Sequence, residues 1–371
     1  MILHLFNDEK VVNRAISLFE EALPDNNIFV CRIEGAPKHV IKQKNLFYYD
    51  SRKEFDTDLL KSVDKVVVHM LVSWKINFIN KYINKPYQLY WMIWGGDMYN
   101  GLIANLGYDI YYEPAYLGVK WRIESFILYC LFKSKFKIGN LHKTLDFISS
   151  VNYFKTSLAE YSIQKRYLGD YMKGTPLPSD FNMYYCLEDI LGKGLMNSQV
   201  HGCSIQIGNS ASISANHLYV YKYLSKLNIG ERKIYAPLGY GGNKKYINHV
   251  VKEGKKQWGE SFCPILNFLD LSDYNKLMLS SDIYLFGNWR QEAAGNVLVA
   301  LYLGAKVFLS KKSPLLETYS KIGIKLYCLE EIEQCDIDTA LDKETQEKNR
   351  NLVSRMLDKK RIVEGIKAIW G

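Results

Sequence analysis

Small and polar residues follow two apolar, strand-like segments in the second half of the chain. The first group is Gly208-Asn209-Ser210. The second is Gly287–Asn296, where Arg290 precedes the small residues Ala293–Asn296 at the start of a helix. Small side chains leave backbone N–H groups accessible, and a helix start carries partial positive charge. Taken alone, each group also fits a tight strand-to-helix turn. Together the two groups favour a site for a phosphate-bearing ligand.

Other side chains beside these loops can recognise the rest of such a ligand. Arg290 can make a bidentate contact to phosphate, and Glu292 or Asn296 can bind a sugar hydroxyl. His217, at a helix start, touches phosphate or faces solvent, and Tyr240 stacks on a base or is an ordinary, partly buried tyrosine. The residues predicted to bind the ligand are Gly208, Asn209, Ser210, His217, Gly239, Tyr240, Arg290, Glu292, Gly295 and Asn296.

The strongest candidate for acid–base chemistry lies in the first half of the chain. An apolar strand ends at Gly95-Gly96, which we expect to expose Asp97, so that its carboxylate accepts a proton from the hydroxyl of a second substrate. Trp94, Gly95 and Gly96 are predicted to face that substrate. His69, at the end of another strand, is the second candidate base. The alternatives are that Asp97 caps the next helix and that His69 is a hydrogen-bonded structural residue.

These candidate residues can act together only if the strands that precede them end at a common edge. Strand-like and helix-like segments alternate along the whole chain. Such alternation is typical of parallel sheets covered by helices. The strands are predicted at residues 2–6, 28–33, 46–49, 65–69, 88–93, 204–207, 233–236, 265–268, 283–286 and 306–309. We therefore predict an α/β protein of the GT-B type, in which two Rossmann-like domains face a central cleft. The predicted parts are an N-terminal domain, 1–190, a C-terminal ligand-binding domain, 200–345, and a closing helix, 346–371, that can pack back on the N-terminal domain.

Composition narrows the classes of partner. The 371 residues carry a formal net charge of +9, which favours anionic partners. The sequence has no arginine-rich arm, zinc pattern or helix-turn-helix signature, so we expect no nucleic acid. It has neither a P-loop nor the dinucleotide glycine pattern, so NAD and ATP hydrolysis are disfavoured. We expect no cofactor and no metal.

Several features predict a cytoplasmic protein that contacts a membrane without crossing it. The seven cysteines are odd in number and scattered, as is typical of free thiols in a reducing compartment. The chain opens on strand-like residues 1–6, from which we expect no secretory signal. The apolar run Phe126–Phe132 is too short to span a bilayer. Trp121–Lys137 interleaves aromatic and cationic residues and is predicted to lie on an anionic membrane surface; the alternative is a core helix with a basic end.

Four short strings occur in a recognisable order: Ile93-Trp-Gly-Gly-Asp-Met-Tyr99, Ile207-Gly-Asn-Ser210, Ala215-Asn-His-Leu218 and Pro237-Leu-Gly-Tyr240. Together they resemble the dTDP-N-acetylfucosamine:lipid II N-acetylfucosaminyltransferases, glycosyltransferase family 56, which act in building enterobacterial common antigen. The resemblance extends from His4 to about Tyr319. The family motif often has Ala at the position of Gly96, and the loop Gly287–Asn296 is only loosely similar.

The resemblance implies a metal-independent GT-B hexosyltransferase that works at the cytoplasmic face of the bacterial inner membrane. Its donor would be a dTDP-linked sugar of the 4-acetamido-4,6-dideoxygalactose type. Its acceptor would be a glycan on undecaprenyl diphosphate, in enterobacterial common antigen or a related O-antigen or capsule. On this reading Asp97 is the first candidate base and His69 the second. Two alternatives remain: a GT-B sugar-nucleotide epimerase, and a non-catalytic nucleotide-sugar-binding protein of a polysaccharide assembly complex.

Overall fold

A computed structural model describes residues 1–112, 123–124, 126–127, 130, 139–178 and 183–371. Most of the stretch Trp121–Lys137, for which membrane contact is predicted, lies outside these residues. The chain forms two compact units. Unit 1 consists of Met1–Leu106, Leu128–Asp189 and Met356–Gly371, and unit 2 of Gly107–Ile127 and Ile190–Arg355.

Unit 1 is built on a parallel sheet that has seven strands among the described residues, in the order β3-β2-β1-β4-β5-β6-β7. The strands are β1 (Ile2–Asn7), β2 (Asn27–Arg32), β3 (Leu46–Tyr49), β4 (Lys65–His69), β5 (Gln88–Met92), β6 (Tyr153–Lys155) and β7 (Thr175–Pro176). The central strands are runs of apolar residues, such as Val66-Val67-Val68, that are buried on both faces. Such runs are typical of a parallel sheet covered by helices on both sides.

Unit 2 repeats this arrangement with a parallel sheet of six strands among the described residues, in the order β10-β9-β8-β11-β12-β13. The strands are β8 (Ser204–Ile207), β9 (Ile234–Pro237), β10 (Phe262–Ile265), β11 (Ser281–Phe286), β12 (Lys306–Leu309) and β13 (Tyr327–Cys328). In each unit the chain order reverses at a central pair, β1 and β4 in unit 1 and β8 and β11 in unit 2. Ligands of open α/β sheets bind beyond the carboxyl ends of strands at such a point.

The described α-helices are numbered in chain order: α1 (Val12–Ala22), α2 (Ser73–Tyr82), α3 (Gly139–Ser149), α4 (Leu158–Leu168), α5 (Leu187–Leu191), α6 (His217–Leu224), α7 (Lys244–Trp258), α8 (Leu271–Leu279), α9 (Ala294–Tyr302), α10 (Pro314–Lys321), α11 (Gln334–Asp338), α12 (Lys343–Met356) and α13 (Lys359–Trp370). Two short segments matter for the site. Gly96–Asn100 forms a π-helical turn, and Ile213–Ala215 forms a 3₁₀ turn before α6.

The end of the chain returns to unit 1. Helix α13 packs on α1, and Trp370 lies edge-on to Phe19 with ring centroids 5.3 Å apart. The amine of Lys65 donates to the carbonyl of Trp370 at 2.7 Å. Helix α12 ends before this point, because Asp358 accepts the N–H of Arg361 and so caps a new helix. The last segment of unit 1 therefore begins at Met356, whereas the closing helix is predicted from residue 346.

Two other details differ from the sequence prediction. Strand β10 begins three residues earlier than predicted, because the ring of Phe262 fills the core whereas Leu266 and Phe268 are exposed. The predicted N-terminal domain includes Gly107–Tyr112, whereas these residues belong to unit 2. They do so because the Tyr108 hydroxyl and the Tyr112 N–H both bond to loops of that unit.

Candidate functional site

The carboxyl edge of unit 2, where its strands end, brings most of the predicted ligand-binding residues together. Gly208–Ser214 follows β8 and Leu238–Gly242 follows β9. Gly287–Ala293 follows β11, the partner of β8 in the central pair, and leads directly into α9. The parallel order of the strands therefore places the candidate loops at one edge.

Glu292 joins the loops after β8 and β11. One carboxylate oxygen, Oε2, accepts from the Ser214 hydroxyl and from Nδ2 of Asn288, both at 2.7 Å. The other, Oε1, forms an ion pair with Nη2 of Arg290 at 2.9 Å, and only 11% of the Arg290 side chain and 15% of the Glu292 side chain is exposed. Arg290 thus enters the site with part of its charge balanced by Glu292.

Buried polar atoms of this edge without a hydrogen-bond partner among the described residues include Oε1 of Gln206 and Nε1 of Trp289. Four more such atoms belong to the candidate loops and helix starts. They are Oδ1 of Asn209, Nε2 of His217, Oδ1 of Asn288 and Nε of Arg290. Leaving a buried polar atom unpaired costs about 1–3 kcal/mol. The open donor and acceptor positions at this edge therefore make it the candidate site for a polar ligand.

The two helices that follow the central strands β8 and β11 both start from a strained residue. Asn216 before α6 has φ +52°, and Ala293 before α9 has φ +62°. A non-glycine residue in this left-handed region costs roughly 1–3 kcal/mol, and such strain concentrates at functional sites. Among the residues that the structure describes, neither start is capped by a side chain. Gly295 and Asn296 lie in the first turn of α9, where backbone N–H groups can reach an anion.

His217 is fully buried, which excludes the alternative that it faces solvent. Its Nδ1 lies 3.1 Å from the hydroxyl of Tyr246, and burial lowers its pKa to about 4, so the ring is neutral. Its Nε2 would lie 3.2 Å from a Cβ atom built on Gly208. A side chain at position 208, where φ is +63°, would therefore crowd the open Nε2 position.

A small pocket lies beside the loop after β8. Nδ2 of Asn209 donates to the Tyr240 hydroxyl at 3.3 Å, and the half-exposed Tyr240 ring is 6.1 Å from that of Phe268. Gly239 allows two loops to approach, since a Cβ there would be 2.3 Å from the carbonyl oxygen of Asn267. The pocket is lined by Asn209, Pro237, Gly239, Tyr240, Ile265, Asn267, Phe268, Leu269 and Tyr274.

In unit 1, Asp97 is not exposed by the two preceding glycines, so that expectation is wrong. Its side chain is buried, and both oxygens are saturated with donors. Oδ2 accepts from the Leu71 N–H at 2.7 Å and from the Trp91 indole at 2.8 Å, and Oδ1 accepts from the N–H groups of Trp94 and Met98 at 2.9 Å. Burial raises the pKa of Asp97 to about 6, although these bonds oppose the shift. The geometry is that of an anchor for the surrounding loops.

His69 belongs to a buried chain of hydrogen bonds. Asn27 Oδ1 lies 3.2 Å from His4 Nε2, His4 Nδ1 is 3.1 Å from His69 Nε2, and His69 Nδ1 is 3.0 Å from the Tyr184 hydroxyl, which accepts from the Trp94 indole at 2.7 Å. Since the Asn27 oxygen can only accept, both histidines carry their proton on Nε2. Burial holds the pKa of His69 well below its usual value. Both ring nitrogens of His69 are therefore occupied by protein groups.

The remaining predicted residues of unit 1 lie beside this chain. Trp94 packs edge-on to Tyr184, Gly95 is buried, and Gly96 is exposed. A Cβ atom at Gly96 would meet no described atom within 4 Å. The alanine that is common in the family would therefore fit at this position.

Sequence reasoning missed two buried ionisable groups near Asp97. Lys75 donates to the carbonyls of His69 and Met70 and thereby holds Met70 at φ +61°. Burial lowers the pKa of Lys75 to about 7. Glu160 accepts from the Ser157 hydroxyl at 3.0 Å, and burial raises its pKa to about 7. Neither residue stands in a recognisable motif, so no sequence signal marked them.

In unit 2 the sequence reasoning missed Ser214, Asn288 and Tyr274. Asn288 lies inside the predicted loop, and a survey of all the polar residues in that loop would have included it. Within the described ranges, no group of three His, Cys, Asp or Glu side chains is placed to hold a metal ion. No α-helix of the described residues is long and apolar enough to cross a bilayer.

The sequence of most of unit 2 matches the model of a known family. The sequence model of the family described as 4-alpha-L-fucosyltransferase, glycosyl transferase group 56, matches residues 190–361. This match confirms the predicted resemblance in the part of the chain that forms the carboxyl edge of unit 2.

Solved structures match over nearly the whole chain at low sequence identity. A glycosyltransferase from Rickettsia africae is 13% identical with a TM-score of 0.56, covering 98% of this chain and 95% of that one. Sucrose-phosphate synthase from Thermosynechococcus elongatus is 10% identical with a TM-score of 0.62, covering 100% and 98%. Anabaena HepE, in complex with UDP and glucose, is 13% identical with a TM-score of 0.52, covering 100% and 94%. These structures confirm the predicted GT-B class with its two Rossmann-like units.

Proposed function

We propose that the chain is a glycosyltransferase, because residues 190–361 match the group 56 family model, and that unit 2 binds a nucleoside-diphosphate sugar at its carboxyl edge. One observation carries this proposal. The unpaired atoms of Asn209, His217, Asn288 and Arg290 gather at the edge where a glycosyltransferase needs contacts to diphosphate and sugar. The bound donor would supply partners for all four atoms.

The donor is proposed to lie along this edge. Its diphosphate binds at the start of α9, where Gly295 and Asn296 offer backbone N–H groups, and Arg290 adds a charge-assisted contact. Negative charge developing on the leaving diphosphate is stabilised by the same groups. The base of the nucleotide occupies the pocket beside Tyr240, whose ring provides an apolar face.

We propose a dTDP-linked sugar of the 4-acetamido-4,6-dideoxygalactose type as donor and an undecaprenyl-diphosphate-linked glycan as acceptor. The four strings that resemble the N-acetylfucosaminyltransferases support this choice of substrates. The net charge of +9 supports a position at the anionic cytoplasmic face of the inner membrane. The pathway would be that of enterobacterial common antigen or of a related O-antigen.

For unit 1 we propose that Asp97 and His69 act as positioning residues. Asp97 holds the turn at Leu71 and the start of the segment at Trp94. His69 orients Trp94 through Tyr184. This differs from the role of general base, because neither residue has an acceptor position open among the described residues.

A thermal-shift screen against dTDP-, UDP- and GDP-sugars tests the donor. We expect a dTDP-sugar to raise the melting temperature most, since a ligand at a hundred times its Kd stabilises a protein by about 2.7 kcal/mol. Arg290→Met should abolish that rise, whereas Arg166→Met on the exposed face of α4 should preserve it. A preference for UDP or GDP would contradict the proposed donor.

Incubation with the stabilising donor separates the enzyme classes. Transfer to a lipid-linked acceptor supports the proposal. A soluble isomer formed from the nucleotide-sugar alone would instead indicate the epimerase. Binding without turnover, even with membranes supplied, would indicate a non-catalytic binding protein.

A further inference from the structure

A short segment that precedes the second sheet in sequence lies against the donor-site loops of unit 2. This segment, Gly107–Tyr112, is called the strap. Ile110 and Tyr111 are buried, and the ring of Tyr112 lies 5.1 Å from that of Tyr219. The strap is thus packed into unit 2 before the chain reaches β8.

Polar contacts join the strap to residues beside the proposed donor site. The Tyr108 hydroxyl donates to the carbonyl of Trp289 at 2.8 Å, and Asp109 lies 3.6 Å from the amine of Lys312. Asn216 makes two bonds with the strap: its Oδ1 accepts from the Tyr112 N–H at 2.9 Å, and its Nδ2 donates to the Ile110 carbonyl at 3.3 Å.

Asn216 also bonds to the loop after β11. Its Nδ2 donates to the carbonyl of Gly287 at 3.0 Å. The approach is close, because a Cβ atom at Gly287 would be only 2.8 Å from the Asn216 carbonyl oxygen. One side chain therefore connects the strap, the start of α6 and the start of the loop that carries Arg290. Asparagine suits this position since it tolerates the left-handed conformation better than most residues.

Trp289 forms the other attachment of the strap. Its ring is buried, and the amine of Lys312 lies 3.4 Å from the ring centroid. Asn288 and Arg290, two of the residues with unpaired atoms, are its neighbours in the chain. His217, a third, directly follows Asn216. The contacts that the strap makes with Trp289 and Asn216 therefore fix the backbone beside Asn288, Arg290 and His217.

We propose that Tyr108 and Asn216 are positioning residues for donor binding, through which the strap holds both donor-site loops in their binding conformation. The inference rests on the proposed function for the identity of the ligand. The arrangement of the loops can be tested without any ligand. Preorganised loops lose less freedom when the ligand binds, and the affinity rises accordingly.

Three variants test the inference. Tyr108→Phe removes only the hydroxyl that bonds to Trp289. Asn216→Gly keeps the left-handed backbone and removes the side-chain bonds to the strap and to Gly287. Tyr221→Phe is the matched control, since it removes a tyrosine hydroxyl of the same unit that also donates to a backbone carbonyl, that of Val250 in α7 at 3.2 Å.

Hydrogen exchange of the ligand-free protein and calorimetric titration with dTDP are the two measurements. We expect Tyr108→Phe and Asn216→Gly to speed exchange of amides 287–293 and to raise the Kd for dTDP about five- to tenfold, as expected for the loss of one or two hydrogen bonds. Turnover at saturating donor should change less than about twofold. Tyr221→Phe should leave the exchange of amides 287–293 and the Kd for dTDP unchanged.

The outcomes distinguish a failure of the proposed donor binding from a failure of the proposed role of the strap. If the wild-type protein binds no nucleoside diphosphate, the proposed function fails, and faster exchange of residues 287–293 in both variants still supports the strap. If both variants bind dTDP and exchange like the wild type, the inference is overturned while the proposed function stands. A fall in turnover with unchanged Kd would also overturn it.

Discussion

The two sheets have the same strand order at their centres, but their carboxyl edges treat polar groups in opposite ways. In unit 1, Asp97 receives four donors, and both nitrogens of His69 are bonded. In unit 2, polar atoms of Asn209, His217 and Arg290 are buried without a partner among the described residues. After β4 and β5 the edge of unit 1 is thus complete by itself, although Nε of Arg32 at the end of β2 is buried without a partner among the described residues. The edge of unit 2 is one that a ligand would complete.

The difference separates the roles of similar residues. A buried polar group with all its partners stabilises the fold and keeps its loop in place. A buried polar group without a partner lowers stability until a ligand supplies one. A carboxylate or histidine at a strand end therefore indicates chemistry only when one of its bonding positions is open.

The largest expected effect comes from breaking the complete edge. Asp97→Asn places an amide NH₂ against two of the four donors, so buried N–H groups lose their acceptor. We expect a loss of about 3 kcal/mol or more in the free energy of unfolding, measured by urea denaturation. Asp170→Asn, at an exposed position of unit 1, should change it by less than about 0.5 kcal/mol. A variant that keeps full stability but loses turnover would restore Asp97 as the general base.

A pair of histidine substitutions compares the two edges directly. His69→Phe leaves His4 and Tyr184 without their partner, and we expect a loss of about 2 kcal/mol in unfolding free energy with dTDP binding retained. His217→Phe removes one bond to Tyr246 and an atom that had no partner. We therefore expect a loss of about 1 kcal/mol in unfolding free energy and a Kd for dTDP about tenfold higher. Urea denaturation and calorimetry measure both. Equal losses of stability and equal Kd values would remove the distinction between the edges.

Much of the fold could be predicted from the sequence, because its signals are local. The apolar run Val66-Val67-Val68 and the alternation of strands and helices required only periodicity. The glycine loops after β8 and β9 and the start of α9 were also visible, since small residues between a strand and a helix are typical of a tight turn with accessible backbone. The exact start of β10 was not, because Phe262 and Phe268 are equally apolar and only packing decides which is buried.

The hydrogen-bond partners of the site residues could not be predicted. Asp97 after two glycines resembles an exposed carboxylate. The bonds that it accepts from the N–H of Leu71, which follows β4, and from the indole of Trp91 in β5 make it an anchor. The place of the strap in unit 2 could not be predicted for the same reason. Its contacts with Trp289 and Asn216 join residues that are far apart in the chain, and no local pattern encodes them.

An effect smaller than that of Asp97→Asn concerns the protonation of Glu160, which follows β6 at the edge of unit 1. Burial raises the pKa of Glu160 from 4.5 to about 7, so the folded protein holds a proton that the unfolded chain releases between these values. The resulting stabilisation is full below pH 4.5 and is lost as the pH rises through about 7. Relative to Glu160→Gln, the wild type should lose roughly 2 kcal/mol of unfolding free energy between about pH 5 and 7. A difference that stays constant over this range would contradict the burial of this carboxyl group.

The substitution with the smallest expected effect is at Lys312. It tests whether side chains on the strap side of the unit 2 edge make stabilising contacts of their own, unlike the unpaired groups where the donor would bind. The amine of Lys312 lies over the ring of Trp289, on the side held by the strap, and its side chain is 44% exposed. A cation over an aromatic ring at a partly exposed site contributes about 0.5–1 kcal/mol. Lys312→Met should therefore lower the unfolding free energy by that amount and shift the tryptophan emission, whereas Lys312→Arg should preserve both because guanidinium also stacks on aromatic faces. Lys311→Met removes the neighbouring charge from the same loop and should change neither. If Lys311→Met and Lys312→Met change the unfolding free energy and the emission alike, the contact between Lys312 and Trp289 contributes nothing specific to the stability of the strap side of the edge.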